Sequence, residues 1–262
     1  METLSALHAF LALLSVCGCR HGESVTGRAH VLIVEDEAIV RDVVERYLSR
    51  DGHRVSSCRD GEEALAMFDA DPPDLVVLDL MLPRIDGFEV CRILRGRSDA
   101  LRHVPIIMLS ALAGEDDRIT GLSLGADDYV TKPFSPRQLS LRVGSVLRRS
   151  HPVETGAEPV VRDGALVVDR SAHRATLDGT DLSLTMRELD LLAFLVMHRG
   201  RVYSRADLLR EVWGWDFGDS STVTVHIKRL RAKLGDDASA PERIVTVYGL
   251  GYRYDGVAEG LG

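Results

Sequence analysis

The sequence predicts two domains in series: a doubly wound parallel α/β domain over residues 30–149 and a smaller α+β domain over 160–255. Three observations lead there. Short β-branched apolar runs alternate with helical patterns through the first half, the mark of a parallel sheet covered on both faces. Residues 150–159 hold two prolines and a glycine and show no apolar periodicity, which reads as an interdomain linker. The second half ends in three helical patterns followed by a hairpin.

At 262 residues the chain is long enough for two domains that each bury a core, and 45% hydrophobic with 27% charged residues is a globular composition. The net charge of −8 gives no global sign of nucleic-acid binding. Its distribution says more: residues 30–149 carry 21 acids and 16 bases, whereas 160–255 carry 14 of each. A nucleic-acid footprint in the second half must therefore be a local patch. Cys17, Cys19, Cys58 and Cys91 form no Cys-x-x-Cys pair, which argues against a zinc site or disulfide framework and for a reducing cytoplasm. Only Lys132, Lys228 and Lys233 are lysines in a chain that otherwise uses arginine, which singles them out.

Residues 1–29 read as an extension outside both domains, and 256–262 as a tail. The apolar stretch at 4–17 is too short for a transmembrane helix and lacks the basic flank of an export signal. The expectation is that translation starts downstream, with Val25 as the candidate.

The first domain can be read strand by strand. Strands are expected at 30–35, 54–56 (weak), 74–79, 104–109 and 128–131, with helices near 38–50, 61–70, 87–96, 115–124 and 136–149. Five such units give a flavodoxin-like sheet in the order 2-1-3-4-5, in which ligands sit beyond the carboxyl ends of strands one and three. Glu35 and Asp36 end strand one, and Asp79 ends strand three. Three carboxylates should thus converge, and their mutual repulsion calls for a cation. An open, all-oxygen site of this kind suits Mg2+. Lys132, just after strand five, brings a compact positive charge suited to a phosphoryl group, and Ser110 at the end of strand four brings a hydroxyl donor. Singly, each has a plainer reading: a solvated strand end, a turn before Pro83, a surface lysine, a helix N-cap. Their joint placement at successive strand ends is what points to a site.

Residues 31–37, 74–90 and 125–134 (the last reading Gly-Ala-Asp-Asp-Tyr-Val-Thr-Lys-Pro-Phe) closely resemble the receiver domain of two-component response regulators. The resemblance implies Asp79 as phosphoacceptor, with Asp36, Asp79 and the Met81 carbonyl binding Mg2+ and Glu35 contributing through water. It implies that Lys132, ahead of a cis Pro133, pairs with the phosphoryl group, and that Ser110 and Tyr129 form the switch pair. Asp79 would attack the phosphohistidine of a sensor histidine kinase, with the metal and Lys132 offsetting charge on the transferred group. The receiver would assist its own phosphorylation and dephosphorylation without being an enzyme beyond that, and its output would be conformational. Active members pair as homodimers through the fourth helix, fifth strand and fifth helix, where Arg118, Asp127, Asp128 and Arg142 supply charge.

In the second domain, strand-like runs at 165–169, 173–177 and 181–184 come first, with Asp178-Gly179 as a hairpin turn. Thr185 and Glu188 form a capping box that opens a helix to about His198, which Gly200 ends. Ser204 and Asp207 open a second helix in the same style, and a third covers 220–234. Runs at 244–248 and 252–254 flank a glycine-containing turn. On the third helix Val223, Ile227, Leu230 and Leu234 share one face and should pack inward. Thr222, Val225, Arg229 and Lys233 fall on the opposite face, with His226, Lys228 and Arg231 beside it and no acid in the helix. A basic face that also carries Thr and Val fits a major groove, although a solvated basic face has the same appearance. Three helices and a hairpin favour a winged helix-turn-helix.

Residues 184–192, 223–234 and 244–254 resemble the effector domain of OmpR/PhoB-type regulators. That resemblance implies a four-stranded sheet, three helices and a wing that bind double-stranded promoter DNA, with residues 213–220 as a loop that touches RNA polymerase. The chain departs from the family twice: Ser221 and Tyr248 stand where arginines are usual. An enzyme with a receiver front end finds no support after residue 150, where there is no Gly-x-Ser-x-Gly, metal-ligand histidine pattern or Walker loop. A phosphorylation-independent regulator and a shuttle without DNA binding are disfavoured by the acid pocket and the basic helix respectively.

The missing arginines predict weaker, less salt-sensitive DNA binding than the family norm. In a gel-shift series over salt, Tyr248→Arg should tighten binding and steepen the log–log salt slope by about one unit. Unchanged affinity and slope would rule this out.

Overall fold

The computed structural model describes residues 28–111, 115–150, 160–215, 221–237 and 239–256. The first domain alternates β1 (His30–Val34), α1 (Ala38–Arg50), β2 (Arg54–Cys58), α2 (Gly61–Ala70), β3 (Leu75–Asp79), α3 (Gly87–Arg95), β4 (Ile106–Ser110), α4 (Glu115–Leu124), β5 (Asp128–Thr131) and α5 (Pro136–Ser150). All five strands are parallel, in the order β2-β1-β3-β4-β5. Successive side chains of a strand point to opposite faces. Val31, Ile33, Val77 and Leu109 therefore pack with Val44 and Leu48 of α1 and Val143 of α5. Leu32, Val34, Leu78 and Met108 pack on the other face with Phe68, Val90, Leu94 and Leu122. A strand buried on both faces has no polar side to show, which is why these runs read as continuously apolar.

The register lines up the carboxyl ends. Val34 pairs with Leu78, Asp79 with Leu109, and Ser110 with Thr131. At this edge α3 starts directly against β3: a Cβ on Gly87 would lie 2.1 Å from the Asp79 carbonyl oxygen, so only glycine fits. Asp86 caps that helix by accepting from the Glu89 N–H at 2.8 Å.

The second domain opens with an antiparallel sheet, β6 (Val160–Asp163), β7 (Leu166–Asp169), β8 (Arg174–Leu177) and β9 (Thr180–Asp181). Asp178 and Gly179, both at positive φ (50° and 77°), form the two-residue turn between β8 and β9. Helix α6 (Met186–Met197) begins with the Thr185–Glu188 capping box. Helix α7 (Arg205–Leu208) continues as a π turn over Leu209–Trp213 and stops at Gly214 in the left-handed region. Helix α8 (Ser221–Leu234) is followed by the hairpin β10 (Ile244–Val247) and β11 (Gly251–Tyr254). Val223, Ile227, Leu230 and Leu234 all enter the domain core, with Leu191, Leu208 and Tyr252.

Two details differ from the sequence expectation. The resemblance implies a fourth strand, but β6 could not be placed from the pattern, because two valines beside a linker are too short a pattern to separate from it. The run expected at 181–184 pairs only through Thr180–Asp181. Beyond that, Ser183 adopts positive φ and Leu182 and Leu184 turn into the core, so burial outweighs ladder pairing there. The expected extension falls almost wholly on residues 1–27, outside the described residues, as do the linker at 151–159 and the tail at 257–262. No helix among the described residues is long and apolar enough to cross a membrane.

Candidate functional site

At the carboxyl edge of the sheet, carboxylate oxygens of Glu35, Asp36 and Asp79 lie within 4.8 Å of one another. Glu35 and Asp79 are buried and Asp36 is exposed. Their repulsion is partly offset by Lys132, whose Nζ lies 2.9 Å from Asp79 Oδ2 and 2.8 Å from Glu35 Oε2. Burial works against the charge on Lys132, but its hydrogen bonds to Glu35 and Asp79 outweigh this and raise its pKa. Burial, reinforced by the charge of Asp79, pushes Glu35 up to about 7 despite the hydrogen bond from Lys132. The pocket is thus short of positive charge, and its oxygen-only donor set fits a hard divalent cation. Met81 is exposed beside it, with its backbone N–H donating to Asp79 Oδ1 at 3.3 Å. The Lys132–Pro133 peptide is cis. Ser110 is buried at the end of β4, and the Tyr129 ring is buried in the same apolar cluster as Met108 and Leu122. Sequence reasoning missed Arg41, which donates to the Glu35 carbonyl at 2.7 Å and steadies the end of β1.

The residues predicted to meet DNA are not gathered on an open face. Thr222, Val225 and His226 are 3%, 5% and 0% exposed. Val225 belongs to the receiver's apolar cluster rather than to that of its own domain. Arg229 donates to the Leu122 carbonyl of α4 at 2.6 Å and lies 2.7 Å from Glu188. Lys233 meets the same carboxylate at 2.7 Å and donates to the Ser183 carbonyl at 2.6 Å. Arg231 donates to the Ile244 carbonyl at 2.8 Å and to Thr246 Oγ1 at 2.8 Å, tying α8 to the hairpin. Lys228 is exposed, and Tyr248 at the hairpin tip is 93% exposed. Glu188 is the group that sequence reasoning underused. Its capping-box spacing was visible, but its pairing with two bases of α8 was not. Burial raises the Glu188 pKa, but the charges of Arg229 and Lys233 outweigh it, and its carboxyl is held below the usual value.

The residues predicted for a dimer face are engaged within the chain. Asp128 pairs with Arg142 at 2.8 Å. Asp127 accepts from Arg95 Nη2 and the Ile106 N–H, both at 2.9 Å, and from the Arg187 N–H of α6 at 3.2 Å. Arg118 has no described side chain.

Comparison with known proteins finds two family matches along the chain. Residues 31–144 match the response regulator receiver domain, and residues 179–254 match the C-terminal domain of transcriptional regulatory proteins. The chain is 46% identical over 231 residues to a probable transcriptional regulator ycf27 of Porphyridium aerugineum, covering 86% of this chain and 95% of that one. It is 42% identical over 241 residues to the transcriptional regulatory protein ResD of Bacillus subtilis (89% and 99%). It is 43% identical over 228 residues to the sensory transduction protein RegX3 of Mycobacterium bovis (86% and 99%). A solved structure of a RitR mutant superposes with a TM-score of 0.68 at 25% identity, over 88% of this chain and all of that one. The chain belongs to the OmpR/PhoB-type two-component response regulators: a receiver joined to a winged-helix transcriptional regulatory domain.

Two tests follow. Glu188→Gln leaves Arg229 and Lys233 largely buried without a counter-charge and should lower the unfolding free energy by about 3 kcal/mol in urea titrations. A loss below about 0.5 kcal/mol would show that the cluster is not coupled in this way. His226 is the second. Burial, then the charge of Arg229, holds its pKa down to about 4 from an ordinary 6.5. The folded chain keeps it neutral, so between pH 6.5 and 4 the unfolded chain binds the extra proton and stability falls as pH drops. The loss is on the order of 3 kcal/mol across that window. Denaturation midpoints measured from pH 7 downward should show it, and His226→Phe should flatten the slope.

Proposed function

We propose that this chain is a phosphorylation-controlled transcription factor, in which a sensor histidine kinase transfers a phosphoryl group to Asp79 and the modified protein dimerises and binds promoter DNA. The observation that carries the reading is the pairing of Asp79 with Lys132 inside a three-carboxylate crevice at the sheet's switch point. In the transfer, an Asp79 carboxylate oxygen forms a bond to phosphorus as the phosphorus–nitrogen bond of the donor imidazole breaks, giving an acyl phosphate and a free histidine. Lys132, already 2.9 Å from Asp79 Oδ2, holds positive charge against the incoming phosphoryl oxygens. Glu35, Asp36, Asp79 and the Met81 carbonyl would hold Mg2+, which would supply further charge neutralisation at those oxygens. Ser110 and Tyr129 report the new charge through β4 and β5, the hydroxyl toward the phosphoryl group and the ring inward. The receiver acts only on itself, and the chain works in the cytoplasm.

In the second domain α8 is the major-groove helix: Thr222, Val225, His226, Arg229 and Lys233 meet bases and phosphates, with Lys228, Arg231 and Tyr248 at the margins. Residues 213–220 form the contact to RNA polymerase, and 216–220 lie outside the described residues. In the homodimer Arg118, Asp127, Asp128 and Arg142 pair across the α4–β5–α5 face.

Intact mass after incubation with Mg2+ and acetyl phosphate should show one added phosphoryl group, absent with EDTA and absent in Asp79→Asn. A folded sample that gains nothing from acetyl phosphate or from a cognate kinase would overturn the reading.

A further inference from the structure

The loop from β3 to α3, residues 80–86, carries the one backbone ligand proposed for Mg2+, the Met81 carbonyl. A side-chain ligand is aimed by its own rotamer, whereas a carbonyl is aimed only by the backbone around it. The base of this loop is closed by the Gly87 N–H, which donates to the Leu80 carbonyl at 3.1 Å. Leu80 and Leu82 are buried in the apolar cluster beneath, and Met81 between them is exposed.

The tip of the loop is made differently. Arg84 sits at φ 67°, in the left-handed region. Across it the Ile85 N–H donates to the Pro83 carbonyl, two residues back, at 2.9 Å. A bond of that span over a residue at positive φ is a γ-turn of the rarer, strained hand. Glycine accepts such a φ freely, whereas arginine persists there only where its surroundings over-determine it.

Those surroundings are the start of α2. Asp60 is buried and divides its two oxygens between two tasks. Oδ1 accepts from the Glu63 N–H at 2.9 Å and caps α2. Oδ2 forms an ion pair with Arg84 Nη2. Glu62 lies 3.4 Å from Arg84 Nη1. The backbones meet as well, since a Cβ on Gly61 would lie 2.5 Å from the Ile85 carbonyl oxygen. The strand that leads to Asp60 also reaches the pocket directly: the Glu35 N–H donates to the Cys58 carbonyl at 3.1 Å.

We propose that Arg84 is a positioning residue for the metal site: its ion pair with Asp60 holds the strained turn and thereby fixes the Met81 carbonyl at the pocket. This rests on the reading of Glu35, Asp36, Asp79 and Met81 as the Mg2+ site. Two plainer roles for Arg84 predict different outcomes. A guanidinium that acts only by its charge repels a nearby cation, so its removal would tighten Mg2+ binding. An arginine that serves only stability would move the unfolding midpoint and leave the Mg2+ affinity of the folded chain unchanged.

The test is Mg2+ binding to the unphosphorylated full chain by isothermal titration calorimetry, with thermal unfolding of each variant beside it. Arg84→Ala loses the ion pair but keeps the strain, and should raise the Mg2+ Kd about tenfold, the size expected for a lost partner of a metal ligand. Arg84→Gly loses the ion pair and the strain together, so its turn holds without the tie and its Kd should stay within about twofold of wild type. Asp60→Asn keeps a good N-cap for α2 and loses only the charge, so it should match Arg84→Ala. Combining Asp60→Asn with Arg84→Ala should weaken binding no further than either alone, because both remove the same tie. Arg84→Ala that binds Mg2+ as well as wild type, or more tightly, would overturn the proposal, as would Arg84→Gly that binds as weakly as Arg84→Ala. Wild type that binds no Mg2+, or whose binding is unchanged by Asp36→Asn, would overturn the reading of the pocket and the proposal with it. Should Arg84→Ala fail to fold, Arg84→Gln carries the same comparison.

Discussion

The interaction on which the rest of the structure depends is the hold that β5 takes at both of its ends. At its carboxyl end, Lys132 stands between Glu35 and Asp79 and supplies the positive charge that lets buried carboxylates coexist. At its amino end, Asp127 binds α3, the start of β4 and the first turn of α6 at once. The strand between them is four residues long, roughly 13 Å at the rise of an extended chain. Its backbone is fixed on one side by pairing with β4. Under the proposed phosphorylation, a change in charge at Asp79 that alters the demand on Lys132 would act on a short, stiff element whose other end holds the second domain. No long chain of intermediates is needed, because sites at the two ends of one strand share its position.

Much of this was legible in the sequence, for identifiable reasons. The strands at 30–35, 74–79 and 128–131 announced themselves because parallel strands buried on two faces must be apolar throughout. A doubly wound order then placed Glu35, Asp36, Asp79 and Lys132 together, since the topology fixes which strand ends are neighbours. The inward face of α8 followed from the spacing of Val223, Ile227, Leu230 and Leu234. Its other face did not. Periodicity separates the residues that join their own domain's core from those that do not, and says nothing of what covers the remainder. Trp213, Ser145 and Leu122 escaped notice for the same reason: Ser145 donates to the Trp213 carbonyl and Leu122 accepts from Arg229, each pair far apart in sequence, and none belongs to a local pattern. The role of Glu188 was half visible, since a capping box is a spacing of three residues, whereas its ion pairs to Arg229 and Lys233 span more than forty.

The chemistry of α8 suits both the receiver that it touches here and the DNA groove proposed for it. A major groove offers thymine methyls, base acceptors and phosphate oxygens. The receiver offers an apolar cluster to Val225 and a carbonyl oxygen to Arg229. Methyl groups find apolar contact and guanidinium groups find oxygen acceptors in either place. What the receiver cannot match is the number of acceptors. His226 Nε2 has no hydrogen-bond partner among the described residues, and both Arg229 and Lys233 pair with Glu188, a carboxylate of their own domain. The receiver thus gives Val225 apolar contact and Arg229 a carbonyl acceptor, while the remaining positive charge of the helix is balanced within its own domain.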